Sequence, residues 1–340
     1  MILAAIVLPG VMSRNAARAA EVAQQEARAQ EASEKKAKRS AAKTRQSVAS
    51  EFELTPAAFD DVPTKDGLQP FALSALDDPD VGKPSLADVS KAIEAIEEQG
   101  PASVVFVDME TGRGLSYQPD LVVYGASSFK ALYALYVCEE LIESGAQALD
   151  SYCSVNISVG PDGFAPGNSY SIESLIESAI TQSSNNAYGA LRDAFDAEGF
   201  DEWVTSLGAY DAVCRADSWF PSYSARSSAR LWSQMYAYAA SGTETAQWLY
   251  DLTGQTEVSF IRAGLEGTGA TVHDKAGWCA DSDPAFDSVS DAGIIEIDGR
   301  SYVMSILTGM PDSDSNRELV GNLAAALLSC RDALGAEDGR

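Results

Sequence analysis

A chain of 340 residues, 46% of them apolar, has room for one large domain with extensions or for two domains. Its formal charge of −26 excludes nucleic acid as a partner, because a phosphate backbone would repel it. With one histidine (His273) and five cysteines that form no C-x-x-C pair, the sequence argues against a metal centre, and no cofactor is expected.

Residues 1–13 are apolar and uncharged, and shorter than the roughly 20 residues needed to cross a bilayer. They fit the trimmed end of a signal or anchor, or an apolar tail. The expected location is therefore extracellular, or membrane-anchored on the outer side through the N-terminus. The basic residues that follow pull the other way, since such residues tend to stay on the cytoplasmic side. Residues 14–50 carry nine Lys/Arg against four Glu in an Ala-rich background, which predicts a solvated helix or disordered spacer. Residues 51–83 hold Pro, Asp and Gly without periodicity and read as a linker.

The folded body is expected over residues 84–340. Ser85 and Asp88 have the spacing of a capping box, and Leu86, Val89, Ile93 and Ile96 make one apolar helix face. Ala102–Asp108 is strand-like and leads through a turn into a second short strand. A helix is predicted from about Ser127 to Ser144, and another begins at Ser171, with Ile172, Leu175, Ile176, Ala179 and Ile180 at helical spacing. Helical material continues to about Leu252. Strands follow at Thr271–Gly277, Ala292–Ile297 and Arg300–Thr308, the last two flanking the hairpin signal Asp298-Gly299. A last helix is predicted from about Ser315 to Leu334. This order gives an α+β fold: a five-stranded antiparallel sheet with flanking helices, closed by both ends of the chain, with an all-helical subdomain inserted.

Lys130 is the only charged residue between Leu121 and Cys138. A lysine in a helix that is apolar on every side loses solvation, and its pKa falls. An easily deprotonated lysine is what a serine nucleophile needs from a base. Ser127, three residues earlier, shares its helix face and lies in the first turn, where backbone N–H groups favour negative charge. The plain alternative is a snorkelling lysine beside a capping serine. Two further S-x-x-K triplet spacings, Ser33–Lys36 and Ser40–Lys43, lie in the polar leader. The apolar setting singles out Ser127.

Ser183-Ser184-Asn185 follows the Ser171 helix, and Lys275-Ala276-Gly277 lies on a predicted strand. S-x-x-K, S-x-N and K-x-G in this order resemble the motif set of class A β-lactamases and penicillin-binding proteins. The surroundings of each motif are similar as well: Tyr124–Lys130, Gly163–Gly167, Thr181–Ala187 and the closing strands. The resemblance covers roughly residues 84–334. It implies the β-lactamase/transpeptidase-like fold and a serine hydrolase, β-lactamase-like or D-Ala-D-Ala peptidase-like. Ser127 would be acylated, Lys130 would take its proton, and Ser183 would pass a proton to the leaving nitrogen. Asn185 would hold the substrate amide and orient Lys130. Lys275 and Gly277 would line the substrate strand, with Lys275 facing a substrate carboxylate. The backbone N–H groups of Ser127 and Trp278 would form the oxyanion hole. The expected partner is a small β-lactam or a cell-wall peptide, and the expected state a monomer.

The sequence departs from this pattern in three places. Ala276 replaces the usual hydroxyl of the third triplet. Ser184 stands where class A enzymes have aspartate. Leu207–Pro221, in place of the loop that carries the deacylating glutamate, contains no glutamate and is short; Asp217 is the candidate base. Slow deacylation is therefore expected. A Cys214–Cys279 disulfide is also expected, because that loop packs near the strand in the family. Two other readings stay open. One is a catalytically silent binding or wall-associated module of the same fold. The other is a Ser-His-Asp hydrolase using His273, which is weak because no G-x-S-x-G elbow appears. Otherwise His273 reads as a strand-surface residue.

Overall fold

The computed structural model describes residues 52–156, 158–213 and 220–335. The apolar 1–13 segment and the 14–50 spacer lie outside the described residues. Among the described residues, no helix is long and apolar enough to cross a membrane.

The frame is a sheet of six strands: β1 (Gln69–Ala72), β2 (Ala102–Asp108), β3 (Arg113–Tyr117), β4 (Thr271–Cys279), β5 (Ser288–Ile297) and β6 (Arg300–Thr308). Their order is β1-β3-β2-β6-β5-β4, antiparallel throughout. Alternation of side chains sends Val105, Val107, Ile294 and Val303 to one face, and Val104, Phe106, Ile295 and Met304 to the other. Both faces are covered, which is why these strands read as nearly unbroken apolar runs. The Asp298-Gly299 turn between β5 and β6 has φ of 54° and 75°, as a type I′ hairpin demands.

Helix α1 (Lys83–Glu97) and the C-terminal helices pack on the second face. It opens at Gly82 with Pro84 in its first turn and has no side-chain cap, so the expected Ser85/Asp88 capping box is not formed. A proline preset to helical φ starts the helix instead. On the first face lies the helical insertion. It contains α2 (Lys130–Tyr136), α3 (Ile172–Thr181), α4 (Asn185–Phe195), α5 (Ala225–Ala240) and α6 (Glu244–Thr253). The predicted Ser127–Ser144 helix is subdivided into a 3₁₀ turn at Ala126–Phe129, α2, and a π-helical turn at Val137–Ile142. Ser171 caps α3 as expected, accepting from Ser174 N–H at 3.2 Å. A short α7 (Phe260–Gly264) precedes β4, and α8 (Asp314–Leu328) with a turn at Arg331–Leu334 closes the chain's described part.

The sixth strand comes from the segment expected to be a linker. Within residues 52–83, Phe59, Val62 and Phe71 are buried and β1 pairs with β3. Two arginines on α5 anchor its first part. Arg226 Nη2 donates to Val62 O (2.9 Å) and Arg230 Nη1 to Pro56 O (3.0 Å), while the guanidinium groups pair with Asp120 and Asp60. That part is held by its own backbone carbonyls, which leave no apolar periodicity to read.

Candidate active site

Ser127 sits in the 3₁₀ turn that feeds α2, half-buried, one turn ahead of Lys130. Ala126, just before it, has φ of 44°, a left-handed value that non-glycine residues rarely adopt and that is found where surroundings enforce it. Those surroundings are tight. Ser128 Oγ lies 2.6 Å from Gly125 O and 2.8 Å from Tyr223 Oη, and a Cβ on Gly125 would meet the Tyr223 ring at 2.3 Å.

Lys130 is 1% exposed. Its Nζ donates to Ser183 O (2.5 Å), Asn185 Oδ1 (2.6 Å) and Ser183 Oγ (3.2 Å). The rings of Phe220 and Tyr188 stand 5.5 and 5.9 Å away. The acceptors are neutral, so they offset burial of a full charge only in part. Burial, with help from the positive charge of Lys275, pushes the amine well below the usual lysine range, and Asp162 partly opposes this. Ser183 holds the left-handed value φ 59° between α3 and α4, which aims both its carbonyl and its hydroxyl at the same amine. The S-x-x-K and S-x-N motifs therefore meet at one nitrogen.

The K-x-G motif arrives from the sheet edge. A Cβ on Gly277 would lie 2.3 Å from Ser128 N, 2.6 Å from Gly125 O and 2.9 Å from Ser127 N, so only glycine lets β4 run this close to the nucleophile's turn. Lys275, also 1% exposed, donates to Ala276 O at 2.7 Å and stands 5.6 Å from the Trp278 ring centre. Burial pushes its pKa down to about 8, opposed by Asp291 and Asp274. Trp278 is wedged by Arg317 (5.3 Å), which Asp312 holds with two bonds of 2.6 and 2.8 Å. A cavity of about 150 Å³ lies here, lined by Thr181, Gln182, Ser183, Glu257, Lys275 and Trp278.

Several residues were not foreseen from sequence. Glu257 joins the cavity wall. Asp162 is bonded to the S-x-N turn, with Ser184 Oγ and the Asn186 N–H donating to its Oδ2. Asp274 and Asp291 are fully buried on the other face of β4 and β5 from Lys275. Thr256, Ser259 and Arg262 bond Asp274, while Phe260 and Ile261 N–H groups bond Asp291 (2.8 and 3.0 Å). Tyr124, packed against Phe220 and Phe286, forms an aromatic edge beside the nucleophile.

One expectation about a side chain is corrected. His273 is not a strand-surface residue. Its ring stacks on Tyr250 at 3.9 Å, with Nδ1 3.0 Å from Tyr250 O and 3.5 Å from Thr253 Oγ1, and this engagement does not support a Ser-His-Asp arrangement. Cys279 carries a free thiol, and its expected partner Cys214 lies outside the described residues, as does Asp217. In the loop that is described, Asp211 turns its carboxylate to Ser224 N–H (3.2 Å).

A model of the β-lactamase enzyme family matches residues 87–330. Among solved structures, PBP-A is similar at 18% identity over 72% of this chain and 96% of that one, with a TM-score of 0.63. A β-lactamase from Chitinophaga pinensis aligns at 15% identity over 73% of this chain and 100% of that one, with a TM-score of 0.64. An ancestral class A β-lactamase aligns at 20% identity over 71% and 99%, with a TM-score of 0.57. At these identities the structural likeness speaks for the fold. No curated protein matches the chain.

Proposed function

Since the chain belongs to the β-lactamase enzyme family, we propose that it is a serine hydrolase that acylates Ser127 and then releases the acyl group slowly. The observation that carries this reading is the cage around Lys130: a buried amine, held by Ser183 and Asn185, one turn from a serine. In its neutral form such an amine accepts the Ser127 proton as the hydroxyl attacks a carbonyl. Ser183, bonded to the same amine, returns the proton to the leaving nitrogen in this reading. The Ser127 and Trp278 N–H groups are assigned the oxyanion. Lys275 supplies positive potential for the donor.

The acyl donors are amides of the β-lactam or peptidoglycan-peptide type. A mutant of PBP-A is known as an acyl-enzyme complex with penicillin G, and that chain shares this fold. Slow release rests on residues 207–221, whose only carboxylates are Asp211 and Asp217. The setting is extracellular, or the outer side of a membrane, with the apolar residues 1–13 as the basis for that reading, and the protein acts as a monomer.

The test is intact mass spectrometry of the chain incubated with penicillin G, beside Ser127→Ala. A lasting adduct of the penicillin's mass on the wild type alone is expected. An adduct that clears within seconds would sink slow release. No adduct on either chain would favour the catalytically silent module of the same fold.

A further inference from the structure

The S-x-N turn has two sides. Ser183 and Asn185 face Lys130, while Ser184 and Asn186, alternating with them, face the loop at 158–168. On that second side Asp162 Oδ2 receives both Ser184 Oγ (2.8 Å) and the Asn186 N–H (2.9 Å). Ser184 Oγ also caps α4 by accepting from Ala187 N–H at 3.0 Å. Asn186 completes the joint. Its Nδ2 lies within hydrogen-bonding distance of Gly160 O (2.8 Å), Ser158 Oγ (3.0 Å) and Phe164 O (3.1 Å), among which its two N–H groups are shared, and its Oδ1 accepts from Val159 N–H (2.8 Å). Ser183, next to Ser184, holds its disfavoured positive φ only if its neighbours are fixed.

We propose that Asp162 is a positioning residue for acyl transfer: its carboxylate, reaching in from the loop, clamps Ser184 and Asn186 so that Ser183 and Asn185 hold the Lys130 amine. The role rests on the acyl-serine reading of the site. Bonds from N–H and O–H donors to an ionised carboxylate are stronger than neutral ones, and here two of them converge on one oxygen. Ser184 is the complementary half of the device. A neutral hydroxyl at that position can donate to Asp162, whereas a second carboxylate there would repel it. The converse also holds. With Asp162 gone, an aspartate at 184 would put a carboxylate in the same place, still able to cap α4 and to accept nearby N–H groups.

The experiment compares wild type, Asp162→Ala, Ser184→Asp and Asp162→Ala/Ser184→Asp, as full chains, for acylation by penicillin G over a range of concentrations. Asp162 is not among the residues that line the cavity. Its loss should therefore lower the saturating acylation rate about tenfold or more while the half-saturating concentration stays within about twofold. Ser184→Asp alone should also slow acylation, and the double variant should recover to within about threefold of wild type. General damage to the loop would not be repaired by a second substitution at the cap of α4. If Asp162→Ala fails to fold, the double variant must fold and acylate. Wild-type rates in Asp162→Ala, or a double variant no better than Asp162→Ala, would overturn the role of Asp162. A wild-type chain that penicillin G does not acylate would overturn the acyl-serine reading and this proposal together.

Discussion

Lys130 and Lys275 are equally buried and approach the site from opposite sides, yet the protein treats their charges differently. On the helical side, Lys130 meets two carbonyl-type oxygens and a hydroxyl, all neutral. On the sheet side, Lys275 is backed across β4 and β5 by the Asp274–Asp291 pair, which shares a proton and whose remaining negative charge opposes the effect of burial. Both amines are lowered, Lys130 well below the usual lysine range and Lys275 to about 8. Environments that push two similar groups apart in pKa assign them different work. Lys130 is suited to take up a proton, and Lys275 to keep one near neutral pH and present a charge.

The largest effect should come from removing the ability of Lys130 to be neutral. Lys130→Arg keeps a long cation, but a guanidinium does not give up its proton and its planar fork does not suit three converging acceptors. Acylation by penicillin G, followed by intact mass, should fall about 10³-fold. Near-normal acylation would place the proton acceptor elsewhere and dissolve the contrast between the two lysines.

Next in size is Gly277→Ala. Its Cβ would press on Ser128 N and Gly125 O, both backbone atoms, so β4 and the nucleophile's turn must separate. Such overpacking costs about 1–3 kcal/mol of stability by denaturant titration. A displacement of this kind between nucleophile and oxyanion donor should slow acylation about 100-fold.

The Lys275 half of the comparison is sharpened by pH. With its pKa near 8, Lys275 is charged below that value and neutral above it. Acylation by an anionic donor should therefore fall about tenfold as pH rises from 7 to 9, and the limb should vanish in Lys275→Ala. A neutral donor should show no such limb. A limb that survives in Lys275→Ala belongs to another group.

The contrast also explains what could be read in advance. Lys130 announced itself as the one charge in an apolar helix, and the S-x-N and K-x-G triplets lie on the expected elements. The strand pattern and the Asp298-Gly299 hairpin give most of the sheet. Asp162 could not be found this way, because it joins Ser184 across 22 residues from a loop without periodicity. The buried acids were hidden for a different reason. Asp274 and Asp291 look like ordinary polar strand positions until the register sets both against the covered face of the sheet. The first part of residues 52–83 was misread because residues 56–62 are held through carbonyls bonded to Arg226 and Arg230, a device that leaves no mark on side-chain pattern. His273 was misread as exposed because its cover, Tyr250, comes from α6.

The smallest effect, and the finest test of the sheet side, is Asp291→Asn. Burial and the neighbouring Asp274 carboxyl push Asp291 well above the carboxylate range. Such an acid binds more protons folded than unfolded between its ordinary and its raised pKa. Stability is therefore undiminished below the ordinary value and falls as pH rises through that window. Asparagine cannot ionise in either state. Its oxygen can still accept from the Phe260 and Ile261 N–H groups, and its amide can donate to Asp274 as a protonated Asp291 would. The midpoint of thermal unfolding should rise by about 2–4 °C at pH 7. At pH 4, where the wild-type acid is protonated in the folded state and partly so in the unfolded one, most of that gain should disappear. A midpoint that drops at pH 7 would mean that Asp291 is ionised and stabilises Lys275 directly, which would make the sheet side an ion pair rather than a shared proton beneath a strand.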